Sequence, residues 1–357
     1  GKIRPRQTYH TRHRPQRSST CGDARGGGMK ERRSYQDVSG RIDVCDPGEV
    51  RREVELLVAC VHPDADFVVL GRAFDDFMRL FEGRFPGYNR CDTLYHDVQH
   101  TLDVTLTMGR LLHGHERTAQ PAERLGARRV ISGLATALFH DAGYIRTKKD
   151  TKHRRGAEYT RWHVARSARF LRGWLSRQQW RKDADIASKV VHFTGYEVAL
   201  QHIRLPDPRD WRLGCLLGTA DLIAQMSARN YLERCRDYLY EEFVAGGIAT
   251  HRRQDGTEHV LYASAEDLLR KTPSFYEHEV RRRLDDDFGR AYRYASVCFG
   301  GANPYLEEIE KNIEYLRLVI ERNDFSLLRR SPAAHPRPRE ARKDACARAA
   351  MDLHEGR

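Results

Sequence analysis

The sequence predicts an all-α fold. Apolar residues recur at helical spacing through most of the chain, as in the stripe formed by Val54, Leu57 and Val58. Few stretches alternate with a period of two, which is typical of strands, and residues 259–262 beside Gly256 are the best candidate for a short strand or hairpin arm. Hydrophobic residues make up 40% of the 357-residue chain, enough to bury a large core without disulfide or metal staples. We therefore expect a compact bundle of many helices.

Helical spacing recurs in successive segments along the chain. The first begins after Asp46, a residue suited to an N-cap, and Pro47, which is favoured in a first turn. In each segment apolar residues stand three or four positions apart, so that one face would be buried. Turns at residues 299–301 and 303–305 precede the last segment. The predicted helical segments are residues 50–61, 74–81, 102–112, 130–138, 159–174, 186–196, 213–240, 264–284 and 305–320.

Positive charge is concentrated at the two ends of the chain. There are 62 Lys+Arg and 50 Asp+Glu in all, a net charge of +12. Residues 1–33 hold ten basic and two acidic residues, and residues 329–357 hold eight and four, which leaves 44 of each sign between them. The ends lack the large apolar residues whose burial would offset the entropy of ordering. We predict a disordered basic segment over residues 1–45, a helical domain over residues 46–328 and a basic tail over residues 329–357.

Cysteine usage and hydropathy indicate a soluble cytoplasmic protein. The eight cysteines lie far apart without a CxxC pair, which argues against a zinc ribbon or a disulfide framework. The longest apolar stretches are much shorter than the roughly 20 residues of a membrane span, and no apolar signal segment opens the chain. We expect no membrane partner. Nucleic acid would be bound only through the basic tails.

Two motifs contain side chains that are able to bind a metal ion, and each motif lies next to a predicted helical segment. His96 and His100 stand four residues apart, on one face of a helix, although such a pair is also frequent by chance. His140 and Asp141 end an apolar segment, where burying ionisable groups costs several kcal/mol unless a metal or a partner receives them. Alternatively, Asp141 begins a turn and His140 is an ordinary residue at the end of a helix.

A third motif is the carboxylate of Asp221 within an apolar helix. No Lys or Arg lies between residues 213 and 228 to neutralise it, so a bound cation is one candidate partner, and exposure on a solvated stripe is the alternative. Together the three motifs supply imidazoles and carboxylates in a set that suits Zn²⁺, Mn²⁺, Fe²⁺ or Mg²⁺.

The order of these motifs resembles the HD superfamily of metal-dependent phosphohydrolases. The catalytic domain of cyclic-nucleotide phosphodiesterases is the most similar member: its Tyr-His-Asn-x-x-His segment corresponds to residues 95–100, its His-Asp pair to residues 140–141 and its Ala-Asp-Leu to residues 220–222. The resemblance covers residues 90–225, the motif core of the helical domain. It implies an HD-type helical bundle around a metal site and an enzyme that hydrolyses ester bonds.

The resemblance also implies roles for individual residues. His100, His140, Asp141 and Asp221 would ligate the first of two divalent ions, and Asp141 would contact the second. His96 would be the general acid that protonates the leaving oxygen while a metal-activated hydroxide attacks phosphorus. The identity of the ions, among Zn, Mn, Fe and Mg, stays open.

Some positions depart from the family pattern. Tyr144 stands where the phosphodiesterases have a further histidine three residues after the His-Asp pair. His163 falls near a family histidine that lines the region of the second metal, and Glu158 near a glutamate that supports it. His192 is a further candidate for the substrate pocket.

The base-recognition segment of the phosphodiesterases is also altered. Their purine-reading Gln is missing, and Pro273 at the comparable stretch has no side-chain amide. Phe275 and Tyr276 remain as candidates to stack on a base. The sequence thus predicts a phosphohydrolase that acts on a phosphoester of a nucleotide. The alternatives are a degenerate HD module that binds metal and nucleotide as a sensor, and nucleic-acid binding through the tails with the helical domain as a scaffold.

Overall fold

A computed structural model describes residues 32–252 and 256–330. All its helices and strands belong to the second of the two units into which the chain divides, residues 33–357. Eleven α-helices dominate the described residues, which confirms the all-α prediction. They are α1 (Pro47–Ala59), α2 (Phe67–Phe81), α3 (Val98–Thr118), α4 (Ala127–Phe139), α5 (His163–Arg177), α6 (Arg181–Val190), α7 (Pro208–Ser227), α8 (Tyr231–Arg234), α9 (Tyr240–Ala245), α10 (Ala265–Phe275) and α11 (Pro304–Glu321).

Short helical turns and one hairpin complete the described residues. The hairpin pairs β1 (Thr250–Arg252) with β2 (Glu258–Val260) in antiparallel register, close to the predicted strand. π-helical turns follow α8 and α10, and 3₁₀ turns connect other helices. The turns are Pro121–Glu123, Ala142–Tyr144, Gly156–Tyr159, Val191–Thr194, Leu200–His202, Cys235–Leu239, Tyr276–Val280, Arg283–Asp287, Ala291–Phe299 and Phe325–Leu327.

The first helix begins as its sequence predicts. The carboxylate of Asp46 accepts hydrogen bonds from the backbone N–H groups of Gly48 and Glu49 at 2.7 and 3.2 Å, so the N-cap is confirmed. Val50, Val54 and Val58 form its buried stripe. This stripe packs against α3, the helix that begins at the candidate site.

Helix α3 lies at the centre of the core and contacts α1, α4, α7 and the 291–299 turn. Most of its side chains are buried, including apolar Leu102, Leu106 and Leu111. The close approach of α3 to the 291–299 turn requires a glycine at position 114, since a Cβ there would lie 1.9 Å from the carbonyl oxygen of Tyr294. Helices α3, α4 and α7 all contact one another, and the predicted metal ligands lie on these helices or directly after them.

The predicted helix over residues 213–240 is divided in the structure. Helix α7 ends at Ser227, and Ala228 adopts an extended ψ of 136°. The side-chain amide of Asn312 on α11 donates hydrogen bonds to the carbonyl oxygens of Met226 and Ala228 at 2.9 and 3.0 Å. These carbonyls are satisfied by a neighbouring helix, so the chain can turn before α8.

The C-terminal end of the predicted disordered segment, residues 1–45, also differs. Residues 1–31 lie outside the described residues, but residues 33–45 pack against α3. Asp37 is 1% exposed and accepts a hydrogen bond of 2.5 Å from the guanidinium of Arg110, which is 3% exposed. This buried ion pair fixes a turn that composition alone does not reveal. Most of the predicted basic tail, residues 331–357, lies outside the described residues.

Membrane spans were not expected, and no helix within the described ranges is both long and apolar enough to cross a bilayer.

Candidate metal centre

Four predicted ligands converge where three helices meet. His100 lies in the first turn of α3, His140 and Asp141 follow the end of α4, and Asp221 lies in the middle of α7. All four are buried. Residues that are 40 and 80 positions apart in sequence are thus brought to one point by the packing of α3 against α4 and α7.

The ligand atoms are spaced as neighbours in one coordination shell. His100 Nε2 lies 3.4 Å from Asp141 Oδ2 and 3.5 Å from Asp221 Oδ1. His140 Nε2 lies 3.1 Å from Asp141 Oδ2 and 3.8 Å from Asp221 Oδ1. Ligand atoms that each lie about 2.1 Å from one ion are about 3.0 Å apart in octahedral and about 3.4 Å apart in tetrahedral geometry. The observed distances fall near these values.

The donor atoms also fit a metal ion chemically. His140 Nδ1 donates a hydrogen bond of 2.7 Å to the carbonyl oxygen of Ala137, which leaves Nε2 as the ligand nitrogen. Within the described residues, His140 Nε2 and Asp141 Oδ2 are buried without a hydrogen-bond partner. A cation would satisfy both atoms, since buried polar atoms are rarely left unpaired. Together with His100, they form a His-His-Asp group whose ligand atoms lie within 4.8 Å of one another.

The carboxylates favour positive charge at this point. Burial disfavours the imidazolium of His140, but the negative charges of Asp141 and Asp221 outweigh it and raise its pKa to about 9. Burial opposes the ionisation of Asp141, but the charges of His140 and His96 hold the pKa of Asp141 well below its usual range. Burial raises the pKa of Asp221.

His96 lies beside this cluster and is held by a residue that the sequence analysis missed. Its Nδ1 donates a hydrogen bond of 2.5 Å to Glu242 Oε2 on α9, and Glu242 Oε1 accepts one of 2.6 Å from the backbone N–H of Tyr95. Burial disfavours the charged imidazole, but the carboxylates of Glu242 and Asp141 raise the pKa of His96. Glu242 follows Tyr238 and Leu239 at helical spacing, and that periodicity was its one signal in the sequence.

Asp97 and Arg234 fix the start of α3. Asp97 Oδ1 accepts the backbone N–H of His100 at 2.9 Å, as an N-cap does. The buried guanidinium of Arg234 contacts the Asp97 carboxylate at 3.1 and 3.3 Å and also donates to the carbonyl oxygen of Tyr95. The backbone that carries both His96 and His100 is therefore held at three points.

A polar chain also holds Asp221. Gln225 Nε2 donates to Asp221 Oδ1 at 3.1 Å, one turn away on α7, and Gln225 Oε1 accepts from the Tyr95 hydroxyl at 3.0 Å. Gln225 could not be recognised from the sequence, since a Gln on a helix gives no signal by its residue type. These contacts orient a carboxylate that faces His100 and His140.

His163 lies on the other side of Asp141. Its Nε2 is 3.6 Å from Asp141 Oδ1, while its Nδ1 donates a hydrogen bond of 2.8 Å to the carbonyl oxygen of Thr160. Burial lowers the pKa of His163 to about 4, so the ring is neutral at pH 7. The two oxygens of Asp141 thus face different imidazole groups.

Tyr144 stacks on two of these imidazoles. Its ring centroid lies 4.5 Å from that of His96 and 4.2 Å from that of His163, with planes 19° and 20° from parallel. Tyr144 is 2% exposed, so its phenol ring fills space next to Asp141. The structure therefore places the residue that departs from the family pattern within the site.

Four other predicted pocket residues do not join the cluster. Among the described residues, no hydrogen bond, ion pair or ring contact links Glu158, His192, Phe275 or Tyr276 to the four converging ligands. Glu158 instead accepts the backbone N–H groups of residues 154 and 155 at 2.7 and 2.8 Å. Tyr276 is buried in the hydrophobic core, and Phe275 is exposed at the end of α10.

Comparison with known proteins identifies the family. No curated protein and no solved structure matches the chain. The family model described as Npun_R2479-like matches residues 85–303, which include every residue of the site from His96 to Glu242. Because this match covers more than half of the chain, the protein belongs to the Npun_R2479-like family.

Proposed function

We propose that the protein is a metal-dependent phosphohydrolase that acts on a phosphoester of a nucleotide. The observation that carries the proposal is the convergence of His100, His140, Asp141 and Asp221 at spacings of 3.1 to 3.8 Å. Such a set of two imidazoles and two carboxylates suits Zn²⁺, Mn²⁺, Fe²⁺ or Mg²⁺. The resemblance of the motifs to HD phosphohydrolases supports the same reaction class.

A divalent ion would be held by His100, His140, Asp141 and Asp221, and it would supply Lewis-acid chemistry to a phosphoryl group and to a water molecule. The chain itself supplies the proton for the leaving group. His96 keeps Nδ1–H on Glu242, so its acidic proton is carried by Nε2 in the imidazolium form. Transfer of that proton to the leaving oxygen yields an alcohol and leaves His96 neutral, with Nδ1–H still bound to Glu242.

Asp141 supports a second ion position. Its Oδ2 faces His100 and His140, while its Oδ1 faces His163 Nε2 at 3.6 Å. The first position has four protein donors and the second has two, so we propose one strong and one weak site. Titration of metal-free protein with Zn²⁺ or Mn²⁺ should then resolve two binding events. His163→Ala should remove the weaker event and keep the stronger one.

The alternative is an HD module that binds metal and nucleotide without turnover. Tyr144 favours it, because this buried ring covers one face of His96 and one face of His163. The clamp of Glu242 on His96 favours the enzyme, since a binding protein gains nothing from a fixed proton donor beside the metal ligands.

Turnover of a phosphoester panel by metal-loaded protein tests the proposal. We expect Asp141→Asn to abolish activity and metal binding, and His96→Gln to lower kcat by about 10²- to 10⁴-fold while metal binding persists. His202→Gln, which changes an exposed histidine outside the site, is the matched control. Undiminished turnover of every phosphoester by Asp141→Asn protein would contradict the proposal. Metal and nucleotide binding without any turnover by the wild type would select the alternative.

A further inference from the structure

A strongly basic loop connects two residues of the candidate site. We define the basic loop as residues 145–161, which follow Tyr144 and end just before Trp162 and His163. It contains seven Lys/Arg and two acidic residues, a net charge of +5. Residues 34–328 as a whole are balanced between 44 basic and 44 acidic residues, so this charge is a local feature.

The basic loop lies against the site. A Cβ at Gly156 would be only 2.4 Å from the carbonyl oxygen of Tyr144, so the middle of the loop contacts the residue that stacks on His96. Its first residues pair with the segment before His96: Tyr88 and Thr147 form an antiparallel bridge. Both ends and the middle of the basic loop are thus fixed close to the proposed reaction centre.

The acids of the basic loop are used within it. Asp150 accepts the backbone N–H groups of Lys152 and His153 at 3.0 and 3.2 Å and also accepts from the Tyr159 hydroxyl. Glu158 accepts backbone N–H groups at residues 154 and 155, as described above. Both carboxylates therefore fix the backbone of the loop.

Most of the cations, in contrast, are exposed. Arg146 is half-buried beside Asp92, and the exposed Arg161 donates a hydrogen bond to the carbonyl oxygen of Gly247. The other five are exposed and form no ion pair within the described residues: Lys148, Lys149, Lys152, Arg154 and Arg155. Five like charges within eight positions repel one another, and an anion would relieve that repulsion. An exposed aromatic residue lies at the end of the loop, since Trp162 is 43% exposed and its ring centroid is 6.3 Å from that of His153. Basic residues beside an exposed aromatic ring suit phosphates that are attached to a base.

We propose that the basic loop binds further phosphate groups of the substrate, so that the substrate is a nucleotide with two or more phosphates. One phosphoester is hydrolysed at the metal centre, the loop holds the remaining phosphates, and Trp162 stacks on the base. This assignment of the substrate class rests on the proposed phosphohydrolase function. A nucleoside triphosphate and a short oligonucleotide share this chemistry, and separate assays distinguish them.

The test compares two variants with five exposed cations replaced by Gln in each. The loop variant changes the five cations of the basic loop. The control variant changes five exposed cations at the far ends of α3 and α5, in the connection between α3 and α4, and at the start of α6. They are Arg117, Arg124, Arg177, Arg181 and Lys182. Exposed substitutions of this kind leave folding nearly unchanged, which circular dichroism and thermal unfolding verify.

Binding is measured first, so that the result does not depend on turnover. The ligands are inorganic tripolyphosphate, adenosine 5′-(β,γ-imido)triphosphate, a trinucleotide and inorganic phosphate, each titrated at two salt concentrations. We expect the loop variant to lose on the order of tenfold in affinity for the ligands with several phosphates and to show a shallower salt dependence, and the control variant to keep both. Trp162→Ala should weaken the base-containing ligands and leave tripolyphosphate unaffected.

Three outcomes decide the inference. Equal affinities of the loop variant and the wild type, or equal losses in both five-residue variants, would overturn it. Preference for the imidotriphosphate or for the trinucleotide identifies the form of the substrate, and either preference supports the loop as its binding site. The same titrations on Asp141→Asn protein, which is inactive under the proposed function, should again show the loop-dependent loss, so that a failed hydrolysis assay is distinguishable from a failed loop assignment.

Discussion

Gly143→Ala tests whether the turn after Asp141 sets the geometry of the metal centre. Gly143 packs against the first turn of α5, where its N–H donates to Ser167 Oγ at 2.8 Å and its carbonyl oxygen accepts from Arg166 Nε at 2.6 Å. A Cβ at this position would lie 1.8 Å from the carbonyl oxygen of His163 and 2.9 Å from the Cβ of Arg166. The nearest atom belongs to the backbone and cannot rotate away.

The required movement can be estimated from these distances. To restore a normal contact of about 3.5 Å from 1.8 Å, the turn and α5 must separate by roughly 1.7 Å. Overpacking of this kind costs about 1–3 kcal/mol. Because Asp141 and His163 lie on the two sides of the contact, the separation would also displace Asp141, a proposed metal ligand. We expect the affinity for Zn²⁺ or Mn²⁺ to fall by about 10- to 100-fold.

Gly114→Ala is the matched control. A Cβ there would lie 1.9 Å from the carbonyl oxygen of Tyr294, a clash of the same severity, but about 20 Å along α3 from His100. Urea unfolding measures the free energy of unfolding of both variants without metal, and calorimetric titration measures their metal affinity. We expect similar losses of stability in the two variants and a loss of affinity only in Gly143→Ala.

Two results would refute this reasoning. If both variants lost metal affinity equally, the effect would be a general consequence of destabilisation. If Gly143→Ala lost stability but bound metal as tightly as the wild type, the turn would not control the position of Asp141.

Three further predictions concern stability. Burial opposes the ionisation of Glu116, but its hydrogen bonds lower its pKa to about 2. The contribution of the ionised carboxylate to the free energy of unfolding is therefore fully present above the unfolded pKa of about 4.5 and is lost as the pH falls towards 2. In urea unfolding, Glu116→Gln should lose about 3 kcal/mol relative to the wild type at pH 6 and much less at pH 2, and parallel pH profiles of the two proteins would contradict this. Asp37→Asn should cost about 3–5 kcal/mol in the same assay, because the buried Arg110 loses its ion-pair partner, and a cost below about 1 kcal/mol would show that Arg110 is otherwise satisfied. Metal at a fixed concentration of about 100 times the Kd of the wild type should stabilise the wild type by about 2.7 kcal/mol in thermal unfolding. An equal gain in Asp221→Ala at the same metal concentration would exclude Asp221 as a ligand.

The convergence of His140, Asp141 and Asp221 could be predicted from the sequence because each stood out from its local pattern. His140 and Asp141 interrupt an apolar helix, and Asp221 is a carboxylate among apolar residues without a nearby cation. Burying such groups is costly unless they have partners, so the local sequence already implied a shared ligand. Helices α3, α4 and α7 could be predicted for a related reason. The apolar residues that form the buried stripe of a helix stand three or four positions apart, so a short segment of sequence is enough to recognise them.

The residues that hold the ligands could not be predicted in this way. Glu242 and Arg234 lie in a segment of ordinary helical charge pattern, and charged residues there are usually solvated. Their burial follows from contacts with residues 95–97, more than 130 positions away in the chain. Tertiary packing selects these partners. The same holds for the ordered turn at Asp37, because only the position of Arg110 on α3 makes that carboxylate a buried one.

The distribution of charge shows why a sum over a domain misleads about its ligands. The neutrality of residues 34–328 by itself predicts no positively charged surface on the domain. In the structure both acids of the basic loop are hydrogen-bonded to its own backbone, and most of its cations remain exposed. A field acts on a ligand over about 8–10 Å at physiological ionic strength, so the charges within that distance of the site matter and the total does not. A neutral domain can therefore present a phosphate-binding surface wherever its carboxylates are committed to the backbone.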